Sequence, residues 1–233
     1  MTEKEAIEAR HSVRTYLDRK IEVEKVGLIV DKIKELNEAG DLNLQFIEDA
    51  GKTYNLILNR TMGLATAPSV VACVGKDSDD LDMRVGYYGE QLVIYLQQLG
   101  LNTCWTGIFN KKKVDAKIDA GERLVLCIAV GYGKDQGRPR RSKSAEQVSD
   151  GREDRPEWFT NGIKYALLAP TAVNQQKFRI TLREDDTVGF EDLGGHLSRV
   201  DLGIVKYHFE VGANRNTFSR KLHGKTNLPL ISN

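Results

Sequence analysis

At 233 residues, 40% of them hydrophobic and 29% charged, the chain has the composition of one large globular domain or two small ones. A formal net charge of +1 gives no overall basic field for nucleic acid, and three cysteines are too few and too odd in number for a disulfide framework. The longest apolar run, Leu124 to Val130, is far short of a membrane span, and Met-Thr-Glu-Lys-Glu lacks the apolar core of a signal peptide, so the expected setting is a reducing cytoplasm.

Residues 3–16 read as a helix. Within them, Arg10-His11-Ser12-Val13-Arg14 offers two guanidiniums, an imidazole and a hydroxyl. Arg10 and Arg14, spaced i,i+4, would lie on one helical side and could grip two parts of an anionic ligand. Residues 24–39 are a clearer helix with Val26, Ile29, Val30, Ile33 and Leu36 as its stripe, and Gly40 stands where a C′ glycine belongs. Strands follow at 44–47, 54–58 and 69–74, the last apolar enough for burial on both faces. A helix over 84–99 ends at Gly100. Cys104-Trp105-Thr106-Gly107 is a short segment with a turn, and 123–132 is a second buried strand. Cys73 and Cys127, inside apolar runs, read as buried reduced thiols.

The basic run Arg138-Pro139-Arg140-Arg141-Ser142-Lys143 leads into 142–155, which is polar and charged and reads as a linker. It divides the chain into residues 1–150 and 151–233. The second part restarts with a helix from Pro156 to about Ala169, stopped by Pro170. Then come strands at 178–182 and 188–190 and a helix over 197–212, with His208 on its apolar face as a core histidine. The halves thus repeat a helix, strands and a long helix. Arg84-Val85-Gly86 and Arg199-Val200-Asp201 open comparable helices. No metal-ligand spacing, Walker lysine or Gly-x-Gly-x-x-Gly motif is present.

Four signals occur together: Arg10-His11-Ser12-x-Arg14, Cys104-Trp105-Thr106-Gly107, the basic run Arg138 to Lys143, and Ala169-Pro170-Thr171-Ala172-x-Asn174-x-Gln176. In this combination the chain resembles the FMN-dependent nitroreductase family. The resemblance implies an α+β fold with a mixed, largely antiparallel sheet flanked by helices. It implies FMN as cofactor and NAD(P)H as electron donor. It also implies ping-pong reduction of a small-molecule acceptor such as a nitroaromatic or quinone, with the flavin and no side chain carrying the chemistry. Arg10, His11 and Ser12 with Arg138, Arg140 or Arg141 would hold the phosphate, and Arg14 would reach the N1/O2 edge of the ring. Asn174 and Gln176 would meet the pyrimidine edge or ribityl hydroxyls, Pro170, Thr171 and Ala172 would form a backbone wall, and Thr106 or Gly107 would supply an N–H near N5, beside Trp105.

One departure matters. In the usual family the Ala-Pro-Ser-x-x-Asn-x-Gln motif follows the N-terminal helix pair, and two subunits share each flavin. Here Asp41-Leu42-Asn43-Leu44 stands in that place and the motif falls in the second half. The chain therefore resembles a single-chain branch, a monomeric pseudo-dimer with one complete site. The alternatives are a different flavin reaction on this fold, such as dehalogenation or flavin fragmentation, or a non-enzymatic flavin-binding sensor.

Overall fold

The computed structural model describes residues 1–50, 53, 67–151 and 153–215. The strand expected over 54–58 lies outside them. The elements run α1 (Glu3–Ala9), α2 (Val23–Gly40), β1 (Asn43–Ile47), β2 (Ser69–Lys76), α3 (Leu81–Gln98), β3 (Asn102–Thr106), β4 (Glu122–Gly131), α4 (Ala145–Val148), β5 (Ser149–Gly151), α5 (Glu157–Ala166), β6 (Phe178–Leu182), β7 (Val188–Asp192) and α6 (Ser198–Ala213). Single 3₁₀ turns span Lys111–Lys113 and Ala172–Asn174.

The fold is α+β, and the strands among the described residues lie in two sheets. One is four-stranded in the order β1-β2-β4-β3 and antiparallel throughout. The other is three-stranded in the order β5-β6-β7, with β5 parallel and β7 antiparallel to β6. Alternation in β2 sends Val71 and Cys73 into the main helical core and Val70, Ala72 and Val74 into a second core on the opposite face. Burial of both faces is why this strand reads as a continuous apolar run. Among the described residues no helix is long and apolar enough to cross a membrane.

The helices α3 and α6 cross at the centre through two glycines. A Cβ built on Gly86 would lie 2.1 Å from the Val200 carbonyl oxygen, and one on Gly203 would lie 2.2 Å from that of Met83. Only glycine permits backbones this close. The helix α5 packs on α6 in the same manner, with Gly162 against the Phe209 ring.

Three expectations are corrected. First, α1 does not continue to residue 16. Thr2 and Glu5 close a capping box at its start, and Arg10 caps its end in an extended conformation. The next residues run along the edge of β3: the Val13 N–H donates to Thr103, Ser12 bridges Thr103, and Tyr16 bridges Gly133. Burial of Val13 and Tyr16 in the sheet's second core outweighs helix propensity here. Arg10 and Arg14 are therefore not helical neighbours. Second, Gly40 is the last helical residue and Asp41 takes the left-handed conformation, with φ 48°. Gly40 is instead small because a Cβ would meet the Tyr88 ring at 2.6 Å. Third, residues 142–155 are no linker. Ser144 and Gln147 form a capping box on α4, Val148 is buried, and β5 pairs with β6.

Candidate flavin site

Because residues 10–17 run along β3 and the connection after α5 folds back toward them, two distant sequence motifs meet. Between them lie two adjoining cavities that share Ser12, Arg14, Pro170, Thr171 and Val173 as a common wall.

The outer cavity, of about 800 Å³, is lined by Arg10, His11, Arg14, Arg138 and Arg140, with Asp135 as its one carboxylate and Asn174 at its rim. Arg10 is only 5% exposed, yet its Nε has no hydrogen-bond partner among the described residues; its ion pair to Glu90 Oε1 is long at 3.7 Å. Arg140 donates to the carbonyls of Leu167 (bond unusually short) and Leu168, closing the end of α5, and its Nε is likewise buried and unpaired. Burial and the nearby Arg10 push the Arg140 guanidinium down to about 10, against the pull of Glu90. Burial, Arg10 and Arg140 also lower His11 from its usual range, so that its imidazole is neutral at pH 7. Buried cationic nitrogens left without acceptors are costly unless an anion meets them.

The inner cavity, of about 220 Å³, is largely apolar. Trp105, Leu126, Leu197, Val200 and Ile204 line it, with Thr106, Gly107 and Ala172. Trp105 is fixed from behind: its indole N–H donates to Glu90 Oε2 at 2.7 Å, and a Cβ on Gly89 would strike its ring at 2.6 Å. Thr106 lines the cavity and commits its hydroxyl to the Cys127 carbonyl. Gly107 is small because the loop after β7 crosses it, with Leu197 Cδ1 at 3.0 Å from a hypothetical Cβ. Cys104 also lines this cavity, and burial raises its thiol, which reads as structural.

Of the residues singled out in the sequence, Arg10, His11, Ser12, Arg14, Trp105, Thr106, Gly107, Arg138, Arg140, Pro170, Thr171, Ala172 and Asn174 line one cavity or the other. Arg141 and Gln176 line neither. Gln176 is 4% exposed, and its amide receives the Lys143 N–H and donates to the Arg141 carbonyl. Asn174 Nδ2 also donates to that carbonyl. These amides fasten the loop to the basic run.

Two carboxylates were not anticipated. Glu90 is fully buried and gathers Arg10, Trp105 and His208, whose Nε2 lies 2.8 Å away. His208 is a satisfied core histidine, its Nδ1 on the Tyr165 carbonyl, and burial lowers it against the pull of Glu90. Asp201 lines the inner cavity and accepts the Ala172 N–H and the Gln175 side-chain amide. Burial raises its carboxyl to about 6 despite those two donors. On an apolar helix face, a carboxylate carries no local signature of its partners.

The family model described as "Putative TM nitroreductase" matches residues 3–213. A search of curated proteins returned no match. Among solved structures, a putative nitroreductase from Thermotoga maritima superposes with a TM-score of 0.65 at 23% identity, covering 91% of this chain and 83% of that one. A putative nitroreductase in complex with FMN from Exiguobacterium sibiricum gives 0.52 at 15% identity, over 64% of this chain and 97% of that one. A nitroreductase family protein from Streptococcus pneumoniae gives 0.51 at 14% identity, over 65% and 100%. At these identities the superpositions speak for the fold, and the family match speaks for descent. Since it runs over nearly the whole chain, this protein belongs to that nitroreductase family.

Proposed function

We propose that this chain is an FMN-dependent oxidoreductase that draws reducing equivalents from NAD(P)H and passes them to a small acceptor such as a nitroaromatic or quinone. The observation that carries the reading is the meeting of two unlike cavities at one wall. One holds clustered cations, and the other is a largely apolar slot. Together they fit a dianionic phosphate joined to a flat, mostly apolar ring. The FMN complex of the Exiguobacterium relative supports the same assignment.

FMN, when bound, supplies hydride chemistry at its ring. The chain's own groups do the rest. Arg10, His11, Ser12, Arg138 and Arg140 would hold the phosphate. Arg14, which lines both cavities, would stand near the ring edge where negative charge gathers on reduction, and so raise the potential. Trp105, Leu126, Val200 and Ile204 exclude water, and the backbone at Thr106 and Gly107 offers a donor to the ring. No side chain is needed as an obligate acid or base. Residues 1–150 would contribute three of the motifs and residues 151–233 the fourth, which makes a single chain sufficient as a monomeric pseudo-dimer. A reducing cytoplasm suits both the donor and the free thiols.

The test is to load the protein with FMN and mix it anaerobically with NADH or NADPH. Bleaching of the flavin absorbance, followed by its return when a nitroaromatic or quinone is added, is expected. A loaded protein that neither donor bleaches would contradict the reading.

A further inference from the structure

The crossing of α3 and α6 is reciprocal. A Cβ built on Gly86 would meet the Val200 carbonyl oxygen at 2.1 Å, and one built on Gly203 would meet that of Met83 at 2.2 Å. An offset of 117 residues carries Met83 to Val200 and Gly86 to Gly203, so the two close approaches are one contact seen from both sides of a local two-fold axis. Among the described residues the surrounding order is alike: α2-β1-β2-α3 and α5-β6-β7-α6 are each helix, antiparallel strand pair, helix. The same offset carries Arg84 to Asp201, a different alignment from the one suggested by Arg84-Val85-Gly86 and Arg199-Val200-Asp201.

These two equivalent residues are both buried, and each holds the connection from helix to strand in its own half. Arg84 Nη1 donates to the carbonyls of Gly40 and Asp41 at 2.7 and 2.6 Å. Its other nitrogens meet Ser78 Oγ at 3.0 Å and Asp80 Oδ2 at 3.2 Å. The connection it holds is only residues 41–42, and it encloses no part of either cavity described above. Asp201 has the opposite polarity. Its Oδ1 accepts the Ala172 N–H at 2.9 Å and its Oδ2 the Gln175 Nε2 at 2.7 Å. The connection it holds is residues 167–177, whose Pro170 and Thr171 wall both cavities.

That connection is strained. Val173, Asn174 and Gln176 all have positive φ, of 45°, 55° and 46°. Non-glycine residues persist there only when their surroundings over-determine them. The two connections thus differ in length, two residues against eleven, and in the group that holds them, a guanidinium that grips carbonyls in the short one and a carboxylate that grips N–H groups in the long one.

We propose that Asp201 is a positioning residue of the ring cavity: by accepting from Ala172 and Gln175 it holds the 170–176 loop in its strained shape, while Arg84 closes the corresponding place in the N-terminal half. The proposal rests on the flavin reading only for the identity of the ligand; the shape of the loop is independent of it.

The experiment compares wild type, Asp201→Ala and Asp201→Asn in two ways. One is hydrogen exchange of peptides covering 170–177, without ligand. The other is titration with FMN and with riboflavin, which has the ring but not the phosphate. In Asp201→Ala, exchange in that segment should rise about tenfold while β2 and β4 keep their protection, and affinity for FMN and riboflavin should fall by a common factor of about ten. Asp201→Asn should recover part of both, because its amide oxygen still accepts one N–H. Unchanged loop exchange in Asp201→Ala, or exchange raised equally throughout the molecule in both variants, would overturn the proposal. If wild type binds neither flavin, the functional reading fails, and the exchange comparison still decides the role of Asp201 by the same criterion.

Discussion

Arg10 shows how burial changes the use of a residue proposed to bind phosphate. Its head group is packed beside Glu90, so replacing it by Glu would set two carboxylates together in the core and test folding rather than binding. Exposed Arg14 and Arg138 are the better probes. Arg14→Glu and Arg138→Glu should each weaken FMN about tenfold or more while leaving the thermal midpoint within a degree or two; titration with parallel melting curves checks this. Glu90 carries the opposite prediction. Glu90→Leu strands Arg10, His208 and the Trp105 N–H at once, and should cost about 3–5 kcal/mol in urea unfolding. Asp201 makes a pH prediction. Its carboxyl is raised from 3.8 to about 6, so the folded state holds that proton more tightly than the unfolded chain. The stability it contributes is therefore full below pH 4 and is lost as pH rises through 6, by about 3 kcal/mol at 1.36 kcal/mol per unit. Unfolding free energies of wild type and Asp201→Asn, compared at pH 4 and pH 7.5, should diverge in that direction by about that amount. A constant difference would contradict it. A carboxylate that costs stability at neutral pH fits a group kept for the shape of a site.

At the scale of elements, the helix crossing is the feature most sensitive to one added methyl group. Gly86→Ala and Gly203→Ala each place a Cβ against a facing carbonyl and should destabilise by about 1–3 kcal/mol. They share one contact, so the double variant should lose less than the sum, because the first methyl already parts the helices; urea midpoints of all three variants measure this. Long elements with sustained patterns were legible before any coordinates: α2, α3, α6, β2, β4 and β6 lie within a few residues of where periodicity puts them. What was not legible was decided at a distance. The end of α1 at Ala9 follows from Val13 and Tyr16 finding burial beside β3 and β4, information held some ninety residues away or more. The order in 142–155 rests on the buried side chains of Val148 and Ser149 and on pairing with β6, none of which a polar composition announces. Gly40 was rightly placed at a helix end, but its small size serves the Tyr88 ring.

Over the whole molecule, the two sheets and the central helix pair bring the first fourteen residues against the connection after α5, and this convergence makes the cavities. The residues that line the two cavities were visible in the sequence as motifs, because arginines, a serine and a proline-led loop are unusual in groups. The residues that shape those motifs were not. Glu90, Asp201 and Leu197 sit on or beside helix faces that look like ordinary core pattern, and their importance lies in partners far away in sequence. The proposed reading also sets the count of sites: in it the two-residue connection held by Arg84 leaves the N-terminal half no counterpart of the 170–176 loop. The most direct measurement is therefore flavin stoichiometry: purified protein is incubated with FMN, desalted, and its absorption spectrum read against an independent protein concentration. The account predicts a flavin spectrum at about one equivalent per chain. A colourless protein would contradict the flavin site itself, and two equivalents per chain, or one per two chains, would contradict a single site built within one chain.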